Sequence, residues 1–581
     1  MKVPAIAAAL AVAITTLSVS TNALDRKFDA LNYDTRGYDS DGCKWAGNIE
    51  EEFAAFAKVT DKVRIYSTSC NEKVLNAASK AGLKVWIGLW SDVPAGTIKD
   101  AFDSEFNNLK NLVNGGKIRN DNVLGIQVAS EALYRFYIQG KVNETQTSGY
   151  DLLVKHVTDV RGFLRGKGML FPVTITDVMD AYNLFPQIYS AVDVVSVNQF
   201  SMWENVTAEN GVSRLFDHWK VVQKQARAAG KPIVLSETGW STADDKGLVA
   251  EASPAAQATY TKDFLAFAEK QSINYYYFSS IDLNIHADLI EKSFGVFDVN
   301  KNLKDGIRNI QVGSKPVATR IFHGDNVLKV DPDNWNALLV GPPTEGPGAN
   351  MDNEIWFYNP DNQRYYSKSS HQCLDAYGDH NNALAVHVYT CTEGNSNQNW
   401  QITSDGHLAT LNGAGQCMDV DPNQDNKVVM WWCYDGPNQK FSKRDFKDEQ
   451  MQITVNGGGY LNEWYSGVSW NPSMSSQYSD NTMWYYDPIA QTIKSKSGNT
   501  CLDAYLDGNS YTVHTYSCDP TNSNQHWLYN DVTGQWFHQG HLGLCLAGSG
   551  NAGAVGGITL QYCDKNQSNQ KWAFKFGKAI A

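Results

Sequence analysis

A stretch of 22 residues beginning at Trp356, WFYNPDNQRYYSKSSHQCLDAY, returns from Trp484 as WYYDPIAQTIKSKSGNTCLDAY, an offset of 128 residues. Inside each copy a smaller unit recurs: Cys-x-Asp, a second cysteine 16 to 18 residues after the first, then Asn-Gln-x-Trp or a variant. Its last element stands at Asn397 (NQNW), Asn438 (NQKF), Asn524 (NQHW) and Asn569 (NQKW). Copies of one small unit cannot bury their apolar faces singly, so neighbours must share a core. The ten cysteines pair off by position as Cys43 with Cys70, Cys373 with Cys391, Cys417 with Cys433, Cys501 with Cys518, and Cys545 with Cys563. Zinc is the competing use of cysteine, but no CxxC and no HxxxH lies beside these residues, so no metal site and no cofactor is expected.

The repeats occupy less than half of a chain of 581 residues, which is too long for one ordinary core. From residue 29 to about 282, short apolar and β-branched runs alternate with helical patterns such as DSEFNNLKNLVNGG and AAQATYTKDFLAFAEKQ. Eight runs can be counted, starting at Asp29, Val63, Lys84, Val123, Phe171, Val192, Pro232 and Asn274. Eight βα units in this length predict a (β/α)8 TIM barrel, an α/β fold whose chemistry sits at the C-terminal ends of the strands. A doubly wound open sheet is the main alternative, but no GxGxxG or P-loop follows the first strand.

Two of the runs end in glutamate: Glu131 closes the fourth and Glu237 the seventh. Opposed carboxyl groups at a barrel mouth suit glycosidic bond cleavage, in which one protonates the leaving oxygen and the other attacks the anomeric carbon. Aromatic residues collect at the same strand ends, namely Tyr33, Tyr66, Trp90, Tyr134, Phe200, Trp203, Trp240 and Phe278, and such rings stack on the apolar faces of pyranoses.

The segments LNYD, VRIYSTSC, KVWIGLW, VASEALYR, VNQFSMW, LSETGW and FGVFD, in this order over residues 29 to 305, resemble glycoside hydrolase family 17, the β-1,3-glucanase family. The resemblance implies that Glu237 is the nucleophile and Glu131 the general acid/base of a retaining double displacement. Tyr33, Ser130, Asn198, Phe200 and Trp240 are the candidate substrate contacts. The chain departs from plant members at Ser130, where they carry Asn. It departs again after the eighth strand, where Phe278, Ser279, Ser280 and Asp282 replace an FEA segment; His286, near their lysine position, is assigned no role.

The repeated unit resembles the ricin B-type lectin β-trefoil, whose Gln-x-Trp tryptophan packs into a shared centre while a disulfide staples each subdomain. A shallow sugar pocket needs a carboxylate, an aromatic face and an amide. The first repeat offers Asp375, His387, Tyr389 and Asn397; the second Asp419, Trp431 and Asn438; the fourth Asp503, His514, Tyr516 and Asn524. The fifth has Ala547 in place of the aspartate, and residues 450 to 482, without cysteine, read as a degenerate third repeat.

Lys2 and the apolar run from Val3 to Leu17 predict a cleaved signal peptide over residues 1–23, and hence a secreted protein, extracellular or in a cell wall. The expected layout continues with a hydrolase barrel over 24–312, a Pro/Gly-rich linker over 313–350, a trefoil over 351–482 and further repeats over 483–581. A net charge of −13 without a long Lys/Arg run excludes nucleic acid or an anionic membrane as expected partners. Sequons at Asn143, Asn205 and Asn566 permit glycosylation. The expected partners are a β-glucan polysaccharide substrate and cell-wall or host glycans. The expected function is an endo-1,3-β-glucosidase tethered by its lectin region. The alternatives are a β-1,3-glucanosyltransferase and a lectin whose barrel has lost activity.

Overall fold

The computed structural model describes residues 24–93, 101–285, 288–334, 336–348, 350–378, 384–412, 414–424, 427–455, 459–471, 480–508, 510–549 and 555–576. The predicted signal peptide and His286 lie outside them.

Eight parallel strands close into a barrel in sequence order: β1 (Leu31–Asn32), β2 (Lys62–Arg64), β3 (Lys84–Gly88), β4 (Val123–Ser130), β5 (Val173–Val178), β6 (Val195–Asn198), β7 (Ile233–Thr238) and β8 (Asn274–Tyr277). Closure is made by Leu31 pairing with Tyr277. The strands sit where the apolar runs predict, because β-branched residues pack well on a pleated, doubly covered sheet. The helices behind them obey local rules as well. In the helix Pro254–Gln271, the Ser253 side chain accepts the Ala256 N–H, Pro254 supplies a fixed φ at the start, and Tyr260, Phe264, Phe267 and Ala268 face the core. The helix Ala208–Ala229 stops at Gly230, whose φ of 69° is left-handed.

Beyond the barrel lie two antiparallel bodies of twelve strands each, from Ala318–His323 to Ser442–Asp445 and from Gln450–Val455 to Trp572–Phe576. Each is a trefoil of three four-strand units. The fourth strand of five units carries a fully buried tryptophan as its first or second residue: Trp356, Trp400, Trp484, Trp527 and Trp572. In each case the indole Nε1–H donates to a leucine carbonyl of the unit's second strand, at Leu328, Leu374, Leu461, Leu502 and Leu546, over 2.9 to 3.0 Å. A buried indole is thus satisfied the same way five times, and Phe441 occupies the sixth place without a polar group to satisfy. All five expected disulfides are formed.

The boundaries drawn from sequence at 351 and 483 cut across these units. The expected linker contains strands Ala318–His323, Asn326–Val330 and Leu338–Gly341, which belong to the first trefoil; its Pro/Gly-rich stretch is only a connection within that unit. The expected degenerate third repeat, 450 to 482, supplies strands Gln450–Val455, Gly459–Trp464 and Gly467–Asn471, which open the second trefoil rather than completing the first. Both units lack cysteine and Gln-x-Trp, so nothing in their composition marks them as copies.

The trefoils pack on the barrel through the C-terminal ends of its helices and the N-terminal ends of its strands. Arg227 is the centre of this junction, 3.2 Å from Asp352 of the first trefoil and 3.7 Å from Asp531 of the second. Gln271 donates to the Lys368 carbonyl, Ser272 to Pro488, Asn274 to Gln539, and Lys565 to Ala228. These contacts lie at the end of the barrel opposite the one where the strands end.

Candidate active site

Glu131 follows β4 directly, with a left-handed φ of 55° and its N–H bonded to the Thr176 carbonyl of β5. Glu237 lies in β7, opposite Asn198 of β6. Register shifts occur between Gln127 and Ser130, between Val197 and Asn198, and between Leu235 and Thr238, so the ladders are irregular where the two carboxyl groups are presented.

The two glutamates have different surroundings. Glu237 is buried, and its Oε1 accepts from the Arg64 guanidinium at 2.7 Å and from the Ser130 hydroxyl at 3.4 Å. Arg64 is itself fully buried and is held by Gln127 Oε1 at 2.6 Å and Asn32 Oδ1 at 2.7 Å. Asn32 is fixed in turn by donating to the Ser236 and Tyr276 carbonyls. Among the described residues no cation is bonded to Glu131, whose Oε1 accepts from Asn198 Nδ2 at 2.9 Å. Burial, together with the charge of Glu237, pushes the Glu131 carboxyl up to about 7 against the opposing pull of Asn198, Arg135 and Arg64. One group is therefore suited to hold a proton near neutral pH while the other is ion-paired, the division of labour that acid-assisted displacement requires.

Asp177, at the end of β5, buttresses the turn that carries Glu131. Its carboxylate accepts the backbone N–H of Leu133 at 2.8 Å and of Tyr134 at 3.1 Å. Burial and the nearby Glu131 raise it to about 7. Tyr66 packs under the Arg64 guanidinium, 4.7 Å from ring centroid to carbon, and its hydroxyl is buried without a partner among the described residues. Burial and the Glu237 charge push this phenol well above its usual value.

A cavity of about 500 Å³ opens beside this cluster, lined among others by Asn32, Arg36, Tyr66, Trp90, Phe278 and Leu283. Of the candidate substrate contacts, Ser130 and Asn198 touch the glutamates, and Phe200 packs edge-on against Phe278 at the same end of the barrel. Tyr33 and Trp240 do not join them. Both are fully buried: Tyr33 donates to Glu52 and packs on Phe53, and Trp240 donates to the Glu251 carbonyl and packs on Tyr260. Alternation along a strand turns Tyr33 away from the face that presents Asn32.

In the first trefoil, the buried Asp375 lies 3.4 Å from His387 Nε2 and accepts Asn395 Nδ2 at 3.1 Å, with Tyr389 exposed and stacked near His387. The second trefoil repeats this with Asp503, His514 at 3.3 Å, Asn522 at 2.9 Å and Tyr516. The amide on each aspartate is thus Asn395 or Asn522, two residues before the expected Asn397 and Asn524. Asn397 instead accepts from Asn412, and the Asn524 carbonyl accepts from His538. Asp419 accepts from Gln439 Nε2 at 2.9 Å, with Trp431 exposed and Asn438 interacting with Tyr434. The unit carrying Ala547 turns Tyr562 onto the barrel, where it stacks on Arg165 and donates to the Met169 carbonyl. Among the described residues no group of three or more His, Cys, Asp or Glu side chains could hold a metal, and no helix is long and apolar enough to cross a membrane.

Residues 30–295 match the BtgE/BtgC glycoside hydrolase domain, and residues 346–441 and 463–572 match the ricin-type beta-trefoil lectin domain. A probable glucan endo-1,3-beta-glucosidase, btgC, of Aspergillus terreus is 26% identical over 297 residues, 46% of this chain and 42% of that protein. The glucan endo-1,3-beta-glucosidase btgC of Emericella nidulans is 23% identical over 324 residues, 51% of this chain and 48% of that protein. This chain therefore spans less than half the length of either relative. A glycoside hydrolase family 17 beta-1,3-glucanosyltransferase from Rhizomucor miehei is 27% identical, covers 49% of this chain and 98% of its own, and has a TM-score of 0.41.

Proposed function

We propose that the chain is a secreted retaining glycosidase that cleaves β-1,3-glucan internally and is held on polysaccharide by its trefoils. The observation that carries this reading is the unlike pair of glutamates, Glu131 raised to about 7 and Glu237 ion-paired to Arg64, at the ends of β4 and β7. Glu131 gives its proton to the leaving glycosidic oxygen while the Glu237 carboxylate attacks the anomeric carbon and inverts it. The covalent glycosyl-Glu237 intermediate is then opened by water, whose proton returns to Glu131, and the second inversion restores the β configuration. Asn198 orients the acid, Arg64 and Ser130 orient the nucleophile, and Trp90 and Phe278 offer ring faces to the sugar. The five disulfides suit the oxidising exterior of a cell.

The Asp375 and Asp503 clusters serve as sugar sites that keep the enzyme on its substrate. A second binding event on the same polymer raises the effective concentration of the first. The test is Glu237→Gln, which keeps the shape and removes the nucleophile. Turnover of a linear β-1,3-glucan falls by at least about a thousandfold if the reading is right. Unchanged turnover removes Glu237 from the mechanism.

A further inference from the structure

Hydrogen bonds hold the backbone of Glu131 from several sides, and one of the groups that supply them is a buried carboxyl with no part in the displacement itself. The Glu131 φ of 55° is left-handed, a conformation that a residue with a Cβ keeps only where its surroundings over-determine it. Its N–H donates to the Thr176 carbonyl, and its carbonyl accepts the Arg135 N–H. The preceding carbonyl, of Ser130, accepts the Arg135 guanidinium at 2.8 Å. The N–H groups of Leu133 and Tyr134 lie in the first turn beyond Glu131, where donors lack a helical carbonyl to meet, before the π-helix Tyr134–Gln139 continues the chain. Both donate to Asp177.

Asp177 is fully buried. Burial and the Glu131 charge push its carboxyl up, and what opposes them is the backbone N–H groups of Leu133, Val178 and Tyr134 rather than a cation. A buried carboxyl without a cation is costly, so a neutral side chain would be the cheaper occupant unless both oxygens are needed. They are: Oδ2 takes the Leu133 N–H, while Oδ1 takes those of Tyr134 and Val178. A hydroxyl or an amide has one acceptor oxygen where a carboxylate has two. Asn198 fixes the tip of the Glu131 side chain and Asp177 the turn at its root.

We propose that Asp177 is a positioning residue for proton transfer by Glu131: it holds the turn that aims the Glu131 carboxyl at the leaving glycosidic oxygen, without itself touching the reacting atoms. The inference rests on the reading of Glu131 as the acid/base. A misplaced acid slows only the bonds whose leaving group needs a proton. A sugar hydroxyl leaves as the Glu131 proton reaches its oxygen and the bond to the anomeric carbon breaks, whereas dinitrophenolate leaves as the anion.

The test compares kcat/KM of the full chain and of Asp177→Asn on laminaripentaose and on dinitrophenyl β-laminaribioside. Asparagine turns an NH2 towards one of the N–H groups that Asp177 accepts, and the turn is expected to shift. The expected result is a fall of about ten- to a hundredfold on laminaripentaose and of less than about threefold on the dinitrophenyl glycoside. Equal falls on both substrates assign Asp177 to folding or to sugar binding, and no fall on either makes its bonds idle; each overturns the proposal. Should Asp177→Asn fail to fold by circular dichroism, an amide-to-ester change at Leu133, which deletes one donor and keeps every side chain, is read in the same way. Glu131→Gln runs alongside and is expected to show the same selectivity more strongly. If Glu131→Gln slows both substrates alike, or neither, the acid/base reading falls and the positioning role with it. If Glu131→Gln is selective and Asp177→Asn is not, the positioning role alone fails.

Discussion

Replacing Arg64 with Met tests how the proposed nucleophile, Glu237, is held. Arg64 is fully buried, and it supplies the shorter of the two side-chain hydrogen bonds to the buried Glu237. Removing one partner of a buried ion pair costs about 3 to 5 kcal/mol, because the other charge is left in a poorly solvating site. At about 1.4 kcal/mol per tenfold in rate, a carboxylate left without its cation costs about ten- to a hundredfold once the remaining Ser130 bond is allowed for. The proposed mechanism needs Glu131 protonated, and Glu131 sits at about 7. On the proposed double displacement, kcat/KM at pH 6, where Glu131 still holds its proton, therefore falls by that factor in Arg64→Met. The assay is a kcat/KM profile from pH 4 to 9 on a soluble β-1,3-glucan oligosaccharide, with circular dichroism to verify folding and Arg64→Lys as the charge-retaining control. A kcat/KM at pH 6 within about threefold of the parent in a folded Arg64→Met protein refutes the reasoning.

Glu131→Gln should stabilise the barrel at alkaline pH. A carboxyl raised from 4.5 to about 7 costs nothing below its unfolded value, costs progressively more as pH rises through that interval, and reaches roughly 3 kcal/mol above 7; denaturant melts at pH 8 and pH 4 should show a gain only at pH 8. Arg227→Ala leaves the buried Asp352 and Asp531 facing each other with only Lys368, 3.2 Å from Asp352, as a counter-charge, and calorimetry should show a lower transition with the barrel and trefoils uncoupled. Asp375→Ala should reduce retention on immobilised β-1,3-glucan while leaving kcat/KM on a short soluble oligosaccharide unchanged, which binding assays alongside turnover will check.

The strands of the barrel and both glutamates could be read from the chain because each depends on a local pattern, an apolar run and the residue that ends it. The polar network between the glutamates could not, since Asn32, Arg64, Gln127 and Asp177 come from four strands and meet only on closure. The one available signal was a polar residue inside an apolar run, such as Arg64 within KVRIY or Gln127 within VLGIQVAS. Tyr33 and Trp240 misled for the opposite reason: adjacency to site residues in sequence places alternate side chains on opposite faces. In the trefoils the cysteine pairs and Gln-x-Trp marked four units, whereas 318–359 and 450–487 are held by the same tryptophan-to-leucine bond without either mark. Asn395 and Asn522 escaped notice because each also caps its short turn, accepting the N–H two residues on, a role that looks purely local.

The most direct test of the central claim is product analysis on a linear β-1,3-glucan oligosaccharide, following chain length and anomeric form over time. The account predicts shorter products released first as β-anomers. Products appearing first as α-anomers would contradict the double displacement through Glu237, and no turnover alongside intact binding to immobilised glucan would contradict the enzyme itself.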